Sequence, residues 1–152
     1  MRPPLKRGAL RSIITHDLSA FEGHWVLQPD ECRYEFGVPP RQGAYTIELL
    51  PEGKISLAST WISAGGRSHE LRFTSPVDGK PYPLIGSRIA DAIQLDYVSP
   101  TRLNSSAWRD GRKVMWAERI LVLPDTLRID VHGFLANGDG YANRDVYRRH
   151  SG

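Results

Sequence analysis

A carboxylate, an imidazole and two phenols, Glu118, His69, Tyr97 and Tyr45, stand where period-two patterning turns their side chains toward one face. With Ser59, Trp61, Ser105 and Trp116 they form the polar and aromatic minority of an otherwise aliphatic surface. An apolar pocket with a few placed polar groups is the usual make-up of a small-molecule site. Each of these residues also has a plainer role, filling an interior and satisfying its neighbours. Glu118 carries the most information, because a buried carboxylate is costly unless paired or hydrogen-bonded. It could pair with His69 across the lumen, or with an arginine in a structural role. Desolvated, it would have a raised pKa and suit general acid or base work. Two readings follow. One is a binding protein that holds an apolar or aromatic small molecule with Tyr45, Ser59, Trp61, His69, Tyr97, Ser105, Trp116 and Glu118. The other is an enzyme performing isomerase, cyclase or lyase-type proton transfer on a hydrophobic substrate with Glu118, His69 and Tyr97 or Tyr45.

Other chemistries find less support. His16, His24, His69, His132 and His150 are scattered without metal-ligand spacing, so no metal and no cofactor is expected. There is no Gly-x-Ser-x-Gly, and the single cysteine, Cys32, lies in a Pro- and charge-rich loop with no activating neighbour. A lone cysteine forms no internal disulfide, and a cytoplasmic protein is the simpler expectation.

The elements that must position these groups are strands. Tyr45, Ile47 and Leu49 alternate with polar residues, and so do Ile55, Leu57, Ser59 and Trp61. His69, Leu71 and Phe73 share a face, as do Ile93, Leu95 and Tyr97, and Leu127, Ile129 and Val131. Alternation this sustained marks half-buried antiparallel strands. Turn signals at "PEG", "AGG", "DG", "SP", "PD" and "NGDG" recur at the spacing of an all-β sandwich or barrel. In "RDGR", residues 109–112, Asp-Gly favours a two-residue type I′ hairpin. Counting back from it pairs Ala107 with Val114, Ser105 with Trp116 and Leu103 with Glu118. That count puts Trp116 and Glu118 inside and Trp108, Met115 and Arg119 outside. A one-residue slip reverses the assignment.

The chain has 152 residues, enough for one domain with a proper core. Its net charge of +3 is concentrated at the ends. Arg2, Lys6, Arg7 and Arg11 oppose only Asp17 in residues 1–20, and Arg144, Arg148 and Arg149 oppose Asp145 near the C-terminus. No strand interleaves Lys or Arg with aromatic residues as a nucleic-acid surface would, so no nucleic-acid partner is expected. No apolar run reaches membrane-spanning length, and no signal peptide is read at the start. The expected organisation is a basic N-terminal arm over 1–20, with a short helix across 9–16, followed by a barrel domain over 21–149. A homodimer through an outer face carrying Trp108 and Met115 is a further reading.

"FEGHWVL", residues 21–27, opens the first strand with Phe21, Gly23 and Trp25 on one face. A meander of about eight or nine strands hides its edges by closing on itself. Gly23 permits a bend, and Trp25 can plug the floor while its N–H finds a carbonyl. Here the sequence resembles the calycin group, the lipocalins and their relatives, whose first strand carries Gly-x-Trp. It is most similar to uncharacterised bacterial lipocalin-like domains, through "DGKPYPLIG" at 78–86, the later Asp-Gly hairpin and the ending "YANRDVYRR". The resemblance spans about residues 21–149. It implies an all-β, single antiparallel up-and-down barrel with an internal cavity, and it implies no agreed activity. Fatty-acid-binding members of the wider group hold a carboxylate with Arg-x-Tyr on the last strand. The equivalent here is Asp145-Val146-Tyr147, and Arg144 has the wrong parity to join Tyr147. The glycine-rich opening of haem-binding nitrobindins is absent as well.

Overall fold

Period-two patterning produces strands almost throughout the computed structural model, which describes residues 16–150. The strands are β1 (Gly23–Leu27), β2 (Arg33–Tyr34), β3 (Gln42–Leu50), β4 (Lys54–Ile62), β5 (Ser68–Pro76) and β6 (Pro81–Pro83). They continue as β7 (Ala92–Ser99), β8 (Arg102–Arg109), β9 (Arg112–Val122), β10 (Thr126–Phe134) and β11 (Gly140–Arg149). Every ladder is antiparallel, in the order β5-β4-β3-β1-β11-β10-β9-β8-β7-β6. β1 joins the last strand to β3, so the two ends of the meander are paired. Between β5 and β7 the wall is spanned by isolated contacts, such as the Gly79 N–H to the Leu95 carbonyl at 2.9 Å. The barrel is nearly closed.

The strands number eleven, more than the eight or nine expected. A single-turn 3-10 helix at Pro29–Glu31 interrupts the first strand, so its continuation, β2, pairs separately with β11. The short β6 adds another. The helix expected across 9–16 lies, apart from His16, outside the described residues, as does most of the 1–20 arm.

The two ends of the barrel are built differently. At the end where β1 begins, a 3-10 turn at Ser19–Phe21 seats Phe21 and Trp25 under the strands, and the Trp25 indole N–H donates to the Phe21 carbonyl at 3.1 Å. Gly23 has φ +140°, and a Cβ there would stand 2.7 Å from Nη1 of Arg149. This half is filled by inward-facing Ile47, Ile55, Leu57, Leu103 and Leu127, all sealed from water. Toward the other end the inward residues shrink to Gly43, Ser59, Ser105, Ala107 and Ala117. The interspersed Trp61, Met115, Val131 and Asn143 keep part of their surface accessible. Large side chains fill the half below and small ones line the half above, here termed the cup, at the end carrying the 35–41, 63–67, 84–91, 110–111 and 135–139 connections.

The "RDGR" hairpin corrects the expected register. Asp110 and Gly111 take positive φ, as a type I′ turn requires, and Arg109 does face Arg112. A β-bulge follows at once: Trp108 pairs with Lys113, but Ala107 pairs with Met115, leaving Val114 as the extra residue. Ser105 therefore opposes Ala117, and Leu103 opposes Arg119. One residue of slip exchanges the faces of β9. Trp116 and Glu118 point outward, and Met115, Ala117 and Arg119 point in. Trp108 stays outside, its indole N–H on Gln94, so it shares no face with Met115.

Candidate functional site

Arg119 reaches the floor of the cup from β9 and is 7% exposed. Its Nε–H donates to the Tyr45 hydroxyl at 2.9 Å, and its Nη1–H donates to the Ser105 hydroxyl at 2.7 Å. The guanidinium carbon lies 5.9 Å from the centre of the Tyr45 ring. Among the described residues no carboxylate comes within ion-pair distance of it. Arginine stays charged at any pH a protein survives, so burial cannot neutralise it. Two neutral hydroxyls satisfy some of its donors and none of its charge.

A second polar group faces the same lumen. Asp145 of β11 lies on one rung with Ile129 and Arg119, two strands from the arginine. Strand spacing sets their backbones roughly 10 Å apart. Asp145 sits opposite the break in the first strand, where Tyr34 donates its hydroxyl to Oδ1 at 2.6 Å. Burial raises the Asp145 pKa above the ordinary carboxylate range, against the lowering by hydrogen bonds from Tyr34 and Cys32. The same buried surroundings, together with Asp145, push the Tyr34 and Tyr147 phenols up. Tyr147 meets Tyr45 edge-on, with ring centres 5.6 Å apart. The polar side chains thus run across the lumen in the order Ser105, Arg119, Tyr45, Tyr147, Asp145, Tyr34.

Of the residues picked from the sequence, Tyr45, Ser59, Trp61 and Ser105 lie on the inner face in or beside the cup. His69 shares that face but is exposed at the lip, stacked on Trp61 with ring centres 5.2 Å apart. Tyr97 lies in the closed half, opposite Leu103 and 4.6 Å from the His16 ring. Trp116 and Glu118 are corrections: both stand on the outer wall. Trp116 stacks there on His132 at 5.2 Å. Glu118 pairs with Arg102 at 3.0 Å and with His132 at 3.1 Å. The proposed acid–base trio of Glu118, His69 and Tyr97 is therefore split between the outer wall, the lip and the closed half.

Arg119, Asp145, Tyr34 and Tyr147 were missed as site residues. One signal could have found Arg119. Counting back from the "VLPDT" turn sets Leu121 opposite Leu127, which places Arg119 and Ala117 on the inner face.

Two hollows lie at the rim of the barrel. One, of about 560 Å³, is lined at the lip by Val26, Ala44, Thr60 and Ile62 together with inward-facing Gly43, Trp61 and His69. The other, of about 350 Å³, is lined by Arg33, Asp130, His132 and Arg144 together with Tyr34 and Asn143. Asp130 there already pairs with Arg144 at 2.9 Å and with Arg128 at 3.5 Å. Neither hollow holds a buried ion lacking a counter-charge.

The strand order and the closed end together define a nearly closed antiparallel up-and-down β-barrel. No protein-family model matches the chain, and no curated protein matches it. Solved structures do. The fluorescent protein UnaG is similar over 88% of this chain and 99% of its own, with a TM-score of 0.58 and 14% identity. A protein described as EF1p2_mFAP2b bound to DFHBI covers 88% of this chain and 97% of its own, with a TM-score of 0.54 and 11% identity. A redesigned beta barrel covers 91% and 98%, with a TM-score of 0.53 and 12% identity. Likeness at such identities is likeness of fold. No helix among the described residues is long and apolar enough to cross a membrane.

Proposed function

We propose that this barrel binds a small apolar molecule carrying an anionic group such as a carboxylate. The apolar body would sit in the cup, with the anion on Arg119, Tyr45 and Ser105. One observation carries this reading: a buried guanidinium faces the cup with no carboxylate of the described chain beside it. Removing a charge from water is costly unless an opposite charge and hydrogen bonds compensate. A ligand carboxylate would supply both, and arginine's planar fork suits it geometrically. The small residues above Arg119 leave space for an apolar chain or ring, as a ligand site requires. That one of the similar barrels is described as bound to DFHBI agrees with this use of the fold, although fold alone does not choose a function. The enzymatic alternative is less favoured, since its acid–base residues do not share a site.

Titration calorimetry with dodecanoate tests the reading. Saturable binding is expected, and Arg119→Met should weaken it by about 1.5–3 kcal/mol, the range for a hydrogen bond to a charged group. Equal affinity in the variant would overturn the assignment of Arg119. Indole fluorescence offers an independent check on the faces. Trp61→Phe should remove the emission change on binding, whereas Trp116→Phe, on the outer wall, should leave it intact.

A further inference from the structure

Resting on that reading, we infer that the ligand is amphoteric: its anionic group sits on Arg119, and an amine or other cationic N–H donor sits on Asp145. Arg119 and Asp145 project into one lumen from the same rung. They bear opposite charges when ionised, yet they make no ion pair with each other. Each is instead held by neutral groups: Arg119 by the hydroxyls of Tyr45 and Ser105, Asp145 by the Tyr34 hydroxyl and the Cys32 thiol. Were the two groups only structural, the stable arrangement would be for them to meet, because an uncompensated ion costs most in a low-dielectric interior. The tyrosines hold them apart, one at each end of a polar line across the cup.

The hydroxyl of Tyr34 engages only Oδ1 of Asp145. An ionised carboxylate has about four lone-pair sites on its two oxygens, more than the Tyr34 hydroxyl and the Cys32 thiol fill, so Asp145 can accept a further N–H from a ligand. The partner must be a donor, since an anion brought there would meet like charge. The sign of Asp145 selects a ligand that is positive at that end. The two backbones stand roughly 10 Å apart, with Ile129 on the rung between them and Ala117 and Val131 on the next, so the ligand's charged ends call for an apolar spacer.

The probes are ω-aminododecanoate, dodecanoate and dodecylamine, titrated into the intact protein and into Asp145→Asn and Arg119→Met. The amino acid should bind about ten- to hundredfold more tightly than dodecanoate, the worth of one charge-assisted hydrogen bond. Asp145→Asn should erase that preference, so that the amino acid and dodecanoate bind the variant alike, and urea denaturation should verify that the variant is folded. Dodecanoate binding that needs Arg119, with no gain from the added amine, would overturn the amphoteric ligand and leave the anion site standing. A preference for the amino acid that survives Asp145→Asn would overturn the role of Asp145. If none of the three probes binds, the anion site falls and this inference falls with it.

Discussion

Two arginines are drawn into this barrel, and their surroundings differ in kind. Arg149 closes the narrow end. Its Nη1–H and Nη2–H donate to the carbonyls of Glu22 and Ala20 at 2.8 and 2.7 Å, and its guanidinium carbon lies 4.2 Å from the centre of the Trp25 ring. Backbone carbonyls and the negative face of an indole are fixed acceptors that compensate a cation permanently. Arg119, in the open half, has two side-chain hydroxyls, which can turn and serve as donor or acceptor. One arginine is finished by the fold. The other has no carboxylate beside it among the described residues.

The sharpest way to break this contrast is at the closed end. Trp25→Ala should cost about 3–5 kcal/mol, the range for large aromatic deletions in cores, read from urea denaturation. Less than about 1 kcal/mol would mean that the indole does not organise this end. The same substitution at the two arginines should then act in opposite senses. Arg149→Met abandons the carbonyls of Glu22 and Ala20, at about 1–3 kcal/mol for each that stays buried and unsatisfied. Arg119→Met removes a buried charge and adds apolar volume, so the ligand-free protein should be unchanged or more stable, as buried ions replaced by hydrophobic groups often show. Equal destabilisation by both would make Arg119 as structural as Arg149, and the anion site would lose its basis. Gly23→Ala is a smaller probe of the closed end. Left-handed strain and the contact with Arg149 together should cost about 1–3 kcal/mol.

Much of the fold was legible because its strands alternate cleanly. The inner faces expected from Ile47, Leu57, Leu95 and Leu127 are the buried ones, and the Gly23–Trp25 pair does mark the closed end. The β9 strand was not legible from its Asp-Gly turn, for a physical reason. Val114, Trp116 and Ile120 make one parity apolar, while Met115, Ala117 and Leu121 make the other equally so. A strand with two apolar faces cannot report its own register, and a bulge directly after a well-formed turn leaves no mark in the turn residues. That one unpaired residue, Val114, moved Glu118 out and Arg119 in, and with them the centre of the candidate site. Asp145 was hidden differently. Its environment depends on Tyr34, more than a hundred positions away, and on a break in the first strand that "QPDEC" suggests only as a loop.

The finest test of the contrast is the pH dependence of stability, because Asp145 is the acidic counterpart of Arg119 in the open half. Burial raises its pKa in the folded protein above the unfolded value, which lies in the ordinary carboxylate range near pH 4. Between those two values the folded state holds a proton that the unfolded chain has released. Stability therefore falls as pH rises through that window, because ionising Asp145 inside the barrel is harder than ionising it in water. Below the window both states are protonated and the group contributes no slope. Above it the cost is constant. Asp145→Asn cannot titrate, but its amide can still accept the Tyr34 hydroxyl. The variant should therefore gain on the parent protein as pH is raised from about 4, with the two closest at the acid end. Urea midpoints of both proteins across that range measure the difference. A difference independent of pH, or one that grows toward acid, would mean that Asp145 is compensated in the fold as fully as Arg149, and that the open half holds no unmet acid for a ligand to answer.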